Sequence, residues 1–286
     1  MNTSPEAKEG AAGPVAVQAD RDEADPASVL LDGLRGADPA LVLVFSSQGD
    51  DLAELGRRLR AGLPPDCAIA GCSSAGEIGP SGYASGSVVA IGFPASSFRA
   101  RVHVLHGLAQ LPVSDWMAGL RAMQAEFDPA PRRALFGLLL VDGLAGQEDA
   151  LVATLDAALP SVPVLGGSAG DGMDFSRTSL LAEGRVISNA AIFLLVETDL
   201  AVAEVTFAHF SPTETRAVVT AAIPEKRRIV ELNAEPAADE YARLTGIPRD
   251  RLTPTEFARY PLLLRTPSSR AVAAIRTADA REGAGD

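Results

Sequence analysis

Residues Cys67 to Gly79 read CAIAGCSSAGEIG, an apolar run that opens into glycines at Gly71, Gly76 and Gly79 with hydroxyls and an acid among them. In an open α/β sheet, ligands collect where loops leave the carboxyl ends of strands, and glycine-rich loops let backbone N–H groups face an anion at close range. The pattern recurs at Val162 to Asp171, VPVLGGSAGD, where one gap aligns Gly71-Cys72-Ser73-Ser74-Ala75-Gly76-Glu77 with Gly166-Gly167-Ser168-Ala169-Gly170-Asp171. The candidate ligand-binding residues are therefore Gly71, Cys72, Ser73, Ser74 and Glu77 in the first loop and Gly166, Gly167, Ser168 and Asp171 in the second, with Asp142 on an adjoining strand-end loop. A zwitterionic amino acid would find its carboxylate on the loop amides and its amine on Glu77, Asp142 or Asp171. The competing reading is that small residues at strand ends serve only tight turns.

Equipment for catalysis is sparse. The histidines are His103, His106 and His209, and a Ser-His-Asp arrangement needs one of them brought to a loop serine by the fold. His103 and His106 stand three apart on an expected strand, hence on opposite faces, which disfavours a shared metal. Cys67 and Cys72 lie five apart, too few for a zinc site or a disulfide framework. Both read as buried small apolar residues, although exposed loop amides around Cys72 would lower a thiol pKa. No lysine-bearing phosphate loop or dinucleotide fingerprint is present. The expectation is a binding protein and not an enzyme, with no catalytic residues and no metal.

The elements that position the loops also come twice. The run Leu41 to Phe45 leads through the turn Ser46 to Asp50 into a helical stretch with Leu52, Leu55 and Leu59. The run Leu138 to Val141 leads through Asp142 to Gly146 into a stretch with Leu151, Leu155 and Leu159. Leucines three and four apart mark one apolar helix face, and Pro64 and Pro160 stop each helix before the next strand. Downstream, Ser87 to Phe93 pairs with Ala190 to Val196, and Phe98 to Leu105 loosely with Leu200 to Phe207. An internal repeat at this scale, about 40–105 and 134–210, predicts an α/β fold of duplicated strand-helix-strand units with mixed sheets.

Three further pieces complete the unit. Pro26 to Arg35 reads as a short helix, and Ser114 to Asp128 as a helix with Ser114 at its N-cap. Phe175 to Ile187 reads as a hairpin turning at Glu183-Gly184. From Ser211, alternation in Arg216 to Ala221 and Arg228 to Leu232 predicts two strands, followed by a helix over Pro236 to Thr245 ended by Gly246 and a brief one over Pro254 to Arg259.

Composition bounds the function. The chain has 286 residues, 47% of them hydrophobic, which suffices for one large or two medium domains. A net charge of -12 argues against nucleic acid and anionic membrane partners, both of which call for basic patches. Residues 1–25 hold six acids against Lys8 and Arg21, read as a disordered acidic leader, and residues 266–286 read as a disordered tail. No basic start with an apolar centre marks a signal peptide, and the apolar runs fall far short of the ~20 residues that cross a bilayer. A cytoplasmic soluble protein is expected.

Taken together in order and spacing, GCSSAGEIG, LVDGLAG, VPVLGGSAGD and IVELNAEPAADEYARLTG resemble the FIST family of sensory proteins, over about Ala40 to Gly246. The resemblance implies a FIST N-terminal domain over 26–210 and a shortened, partial α+β FIST C-terminal domain over 211–265. It further implies an intracellular signal-transduction module that senses a small molecule, an amino acid among the proposed ligands, and acts on a signalling partner such as a histidine kinase or diguanylate cyclase. A scaffold within a signalling complex is the alternative reading of the chain, and the resemblance adds a haem-binding sensor of nitric oxide, which makes haem the one cofactor to test.

Overall fold

Strands buried on both faces read as unbroken apolar runs, because successive side chains point to opposite sides. In the first run, Leu41 and Leu43 enter one core while Val42 and Val44 enter another. The computed structural model describes residues 12–20, 23–47, 52–127, 133–172, 176–203, 205, 213–223, 228–265 and 272–275. It divides into two units, Met1–Ala203 and Glu204–Asp286.

The first unit runs β1 (Val15–Asp20), α1 (Pro26–Leu34), β2 (Pro39–Ser46), α2 (Leu52–Gly62), β3 (Ala68–Ser73), β4 (Glu77–Gly79), β5 (Gly82–Ala84), β6 (Ser87–Pro94) and β7 (Phe98–His106). It continues with α3 (Val113–Ala125), β8 (Ala134–Val141), α4 (Glu148–Ala158), β9 (Val164–Ser168), β10 (Leu180–Ala182), β11 (Arg185–Ile187) and β12 (Ala190–Thr198). One sheet has the order β1-β6-β2-β3-β10-β11 and another β7-β12-β8-β9, while β4 and β5 pair with each other.

The two large sheets pack face to face. Their shared core holds Leu41, Leu43, Ala70 and Cys72 from one and Leu140, Ile192, Leu194 and Val196 from the other. On its far side the six-stranded sheet buries Val42, Val44 and Ile69 against Leu30, Leu34, Leu52, Leu55 and Leu59 of α1 and α2. The four-stranded sheet does the same with Leu139, Val141 and Phe193 against Trp116 and Leu120 of α3 and Leu151 and Leu155 of α4. The result is four layers: helix, sheet, sheet, helix. Each fully buried leucine or phenylalanine contributes ~1.5–3 kcal/mol by leaving water.

Pairing repeats along with the layers. β2 runs parallel to β3 with Val44 opposite Gly71, and β8 runs parallel to β9 with Leu139 opposite Gly166. β6 lies antiparallel on β2 with Ala90 opposite Val44, and β12 antiparallel on β8 with Phe193 opposite Leu139. By this register Ser47, not Ser46, corresponds to Asp142. Connections then cross between sheets: β7 joins β12, and the β10–β11 hairpin joins β3 with Leu181 opposite Gly71. Against β6, β1 takes the place that β7 has against β12.

Several expectations need correction. The leader is ordered where it forms β1, paired with β6 from Val15↔Gly92 to Asp20↔Ser87. Asp25, at the N-cap of α1, accepts the Ser28 N–H at 3.1 Å, and Arg58 forks onto its two oxygens. That guanidinium, with the Ser28 bonds, holds the Asp25 carboxyl well below the usual carboxylate range. Residues 1–11, 21 and 22 lie outside the described residues. Helix α3 starts ahead of Ser114, with Pro112 at its N-cap, and Asp128 lies outside the described residues. No regular strand follows β12 over residues 201–203, and 204 and 206–210 lie outside the described residues.

The second unit contains β13 (Val219–Ile223), β14 (Arg228–Leu232), β15 (Glu235–Pro236), α5 (Ala237–Thr245), α6 (Pro254–Arg259), β16 (Leu262–Arg265) and β17 (Val272–Ile275). Leu232, Tyr241 and Leu252 form its core, with the Tyr241 ring 4.7 Å from that of Phe257. Arg243 grips the buried Glu240 and, with Asn233, lowers its carboxyl to about 2. Gly246 ends α5 at φ 73° as the sequence indicates. The tail is not wholly loose, since β17 pairs with β16 from Val272↔Arg265 to Ile275↔Leu262. No helix among the described residues is long and apolar enough to cross a membrane.

Two outcomes follow. Deleting residues 1–20 removes the buried Ala19 and uncovers the β6 edge, so the melting midpoint should drop by about 5 °C or more; an unchanged midpoint would mean β1 adds nothing. A Cβ at Gly71 would sit 2.2 Å from the Val44 carbonyl oxygen and one at Gly166 2.1 Å from that of Leu139. Gly71 lies inside its sheet, whereas β9 is an edge that can shift outward. Gly71→Ala should cost ~2–3 kcal/mol and Gly166→Ala less, measured by denaturant unfolding.

Candidate functional site

The first and second strands of each repeat end at the same level, and the ladder runs one bond further in both. Ser74 N–H donates to Ser46 O at 3.0 Å, and Ala169 N–H to Val141 O at 2.8 Å. The second loop then crosses to the first sheet, where Gly170 N–H donates to Ser73 O at 3.0 Å. Ser73 N–H donates to Ser179 O at 2.8 Å, and its hydroxyl accepts the Ser179 N–H at 3.0 Å. The two glycine loops thus meet at one place.

Behind the loops lie two matching latches. Ser47 Oγ accepts the N–H of Gly86 at 2.7 Å, and Asp142 Oδ2 accepts that of Asn189 at 2.7 Å, each fixing the residue before the returning strand. In the first repeat the hydroxyl is Ser47 and the acid Glu77, joined at 2.8 Å. In the second the acid is Asp142 and the hydroxyl Thr178, joined at 2.5 Å. Glu77 also accepts the hydroxyls of Ser74 and, at 2.8 Å, Ser87.

A hollow of about 280 Å³ opens at the meeting point, lined by Ser47, Ser74, Ala75, Ser85, Gly86, Asp171 and Gly172. Of the residues singled out by sequence, Ser74 and Asp171 line it. Asp171 Oδ2 also accepts the N–H groups of Ser176 at 2.6 Å and Arg177 at 2.8 Å, which holds the excursion after the loop. The others have different work. Gly71 and Gly166 allow close strand approach, and Ser73 ties the two loops together. Glu77 and Asp142 are buried anchors. Gly167 and Ser168 are exposed on β9, where Ser168 Oγ donates to Glu148 at 3.2 Å.

Cys72 lies in the core between the sheets. Burial, with Glu77 beside it, pushes its thiol up to about 12, opposite to the direction that loop amides alone would give. Burial does the same to Cys67. Ser47, Ser85, Gly86 and Gly172 were not singled out, although Ser85-Gly86 is a turn dipeptide and both glycines have positive φ, 75° and 78°.

A second hollow, about 490 Å³, is lined by Ala12, Gly13, Val15, Gly33, Gly36, Ala37, Asp38, Pro94 and Ser96, away from both loops. Haem does not fit the described residues. His103 packs on α3 at Gly119, where burial, with His106, lowers its pKa, and His106 is exposed. Neither hollow has a histidine or cysteine among its described lining residues, and His209 lies outside the described residues. Among the described residues no three His, Cys, Asp or Glu side chains cluster to hold a metal.

Residues 40–235 match the family described as FIST, FIST N domain. The match runs past residue 210, where the sequence places a domain boundary. No curated protein matches the chain. Five solved chains are similar to it. One is cyanuric acid hydrolase from A. caulinodans, at 6% identity over 66% of this chain and 72% of that one, with a TM-score of 0.32. A likeness that distant says nothing about the site.

The thiols give the outcome to check here. With both held as SH up to pH about 12, alkylation by a maleimide at pH 8 should run at least about a hundred-fold slower in the folded chain than in urea. Equal rates would show that Cys72 is an accessible thiolate.

Proposed function

The chain belongs to the FIST family, whose domains are sensory modules of signal transduction, and on that premise we propose that the first unit binds a small polar molecule where its two glycine loops meet. The observation that carries this is the Gly170 N–H to Ser73 O bond, which sets Asp171 and Gly172 across from Ser74 and Ala75. Ligand pockets for drug-sized molecules run from ~300 to 1,000 Å³. A hollow of about 280 Å³ therefore suits an amino acid or a molecule of that size.

A ligand there touches loops from two sheets at once. Occupancy favours whichever arrangement of the loops fits it best, and that difference in affinity is what a signalling partner, such as a histidine kinase or diguanylate cyclase, would read. We read the site as one that binds and does not catalyse, because among the described residues its lining has no histidine or lysine to move a proton. A scaffold reading has one observation of its own: β9 ends the four-stranded sheet with Leu165 exposed, an edge that offers backbone groups to another strand.

A thermal-shift screen over free amino acids and other small polar molecules tests the pocket. At about a hundred times its Kd a ligand adds ~2.7 kcal/mol, or roughly 5 °C or more for a unit of this size. Ala75→Phe should fill the hollow and abolish that rise while leaving the unliganded midpoint within about 2 °C, since Ala75 is exposed. The same rise in both proteins would place the site elsewhere.

A further inference from the structure

Resting on the pocket reading above, we propose that Glu77 sets the polarity of the hollow, and that the ligand group it selects is a protonated primary amine. Glu77 is 3% exposed and accepts from three serine hydroxyls. Its Oε2 takes Ser47 and Ser87, each at 2.8 Å, while Oε1 takes Ser74.

A hydroxyl has one hydrogen to give and two lone pairs with which to accept. Ser47 uses all three: its lone pairs take the N–H groups of Gly86 at 2.7 Å and Ser87 at 3.2 Å, and its hydrogen goes to Glu77 at 2.8 Å in preference to Ser87 O at 3.5 Å. Ser74 differs. Its N–H is spent on Ser46 O and its hydroxyl hydrogen on Glu77, so what it presents to the hollow is lone pairs alone. Asp171, on the facing loop, is a carboxylate and accepts as well. Ser85 keeps a hydroxyl that turns to suit either kind of partner.

The lining is thus rich in acceptors, with a buried acid behind Ser74 and no lysine or arginine among its described residues. A carboxylate or phosphate would meet like charge and opposed lone pairs. An ammonium brings three donors and the opposite charge. The second repeat has no such effect on the hollow, because Thr178, the hydroxyl bound to Asp142, is itself buried. Glu77 acts through Ser74 and is a positioning residue.

Glu77→Gln offers a readout that a merely structural role would not move. With its amide oxygen where Oε2 receives Ser47 and Ser87, its NH₂ faces Ser74, whose hydroxyl must then turn outward and donate. Amine selectivity should give way to anion selectivity.

The full chain and its variants are titrated at pH 7, by calorimetry, with ethylammonium and glycine as amines and propionate and inorganic phosphate as anions. The wild type should bind the amines in preference to the anions. Glu77→Gln should weaken the amines by about ten- to a hundred-fold and strengthen the anions. Ser74→Ala, which leaves Glu77 held by Ser47 and Ser87, should weaken the amines without strengthening the anions, and decides the matter if Glu77→Gln does not fold. Binding by ethylammonium and glycine alike supports a simple amine as the natural group, and tighter glycine supports an amino acid. An amine preference unchanged in both folded variants, but lost in Ala75→Phe, would overturn the role of Glu77 and leave the pocket standing. Amine binding that survives Ala75→Phe, or no binding to the wild type, would overturn the pocket itself.

Discussion

Ser73 is the joint on which the arrangement depends. Its carbonyl takes the Gly170 N–H, its N–H goes to Ser179 and its hydroxyl takes the N–H of the same residue. Three hydrogen bonds at one buried residue fasten the second glycine loop, and the hairpin after it, to the end of a strand in the other sheet. Without that crossing each loop would close only its own strand end. The serine is fit for it because one short side chain supplies an acceptor where a backbone N–H would otherwise be buried unpaired, a loss worth ~1–3 kcal/mol.

The crossing also explains why so few of the conspicuous polar residues face the hollow. Bringing two strand ends together buries the groups between them, and buried polar groups must be bonded. Glu77 and Asp142 meet that need with serines, a threonine and backbone amides, so both carboxyl groups are built into the scaffold and Glu77 reaches the hollow only through Ser74. What remains at the surface of the joint is Ser74, Asp171 and small residues. The acid and the hydroxyl have exchanged places between the two latches, yet each pair holds the same strand junction.

Much of the fold was legible where the signal was local. Leu52, Leu55 and Leu59 mark the buried face of α2, and Glu183-Gly184 makes the β10–β11 turn with φ of 49° and 80°, as such a dipeptide should. The family match agrees with the motifs that suggested it. Pairing partners were not legible. Period gives a strand two faces but does not say which distant strand lies beside it, so β1 was lost in an acidic stretch whose partner is β6, and the crossing of β10 to β3 left no trace. The glycines misled for a related reason. Gly71 and Gly166 look like loop residues but are needed inside the strands, where the Val44 and Leu139 carbonyls leave no room for a side chain. Ser47 gave no signal because its role depends on Gly86 and Glu77, which only the fold brings near.

The central claim is that the two loops form one site. Amide spectra of the isotope-labelled chain, followed through a titration with ethylammonium chloride, test it directly. Shifts at Ser74 and Ala75 in one loop and at Asp171 and Gly172 in the other should move together along a single binding curve. Shifts confined to one loop, different curves for the two, or movement elsewhere with both loops silent would contradict it.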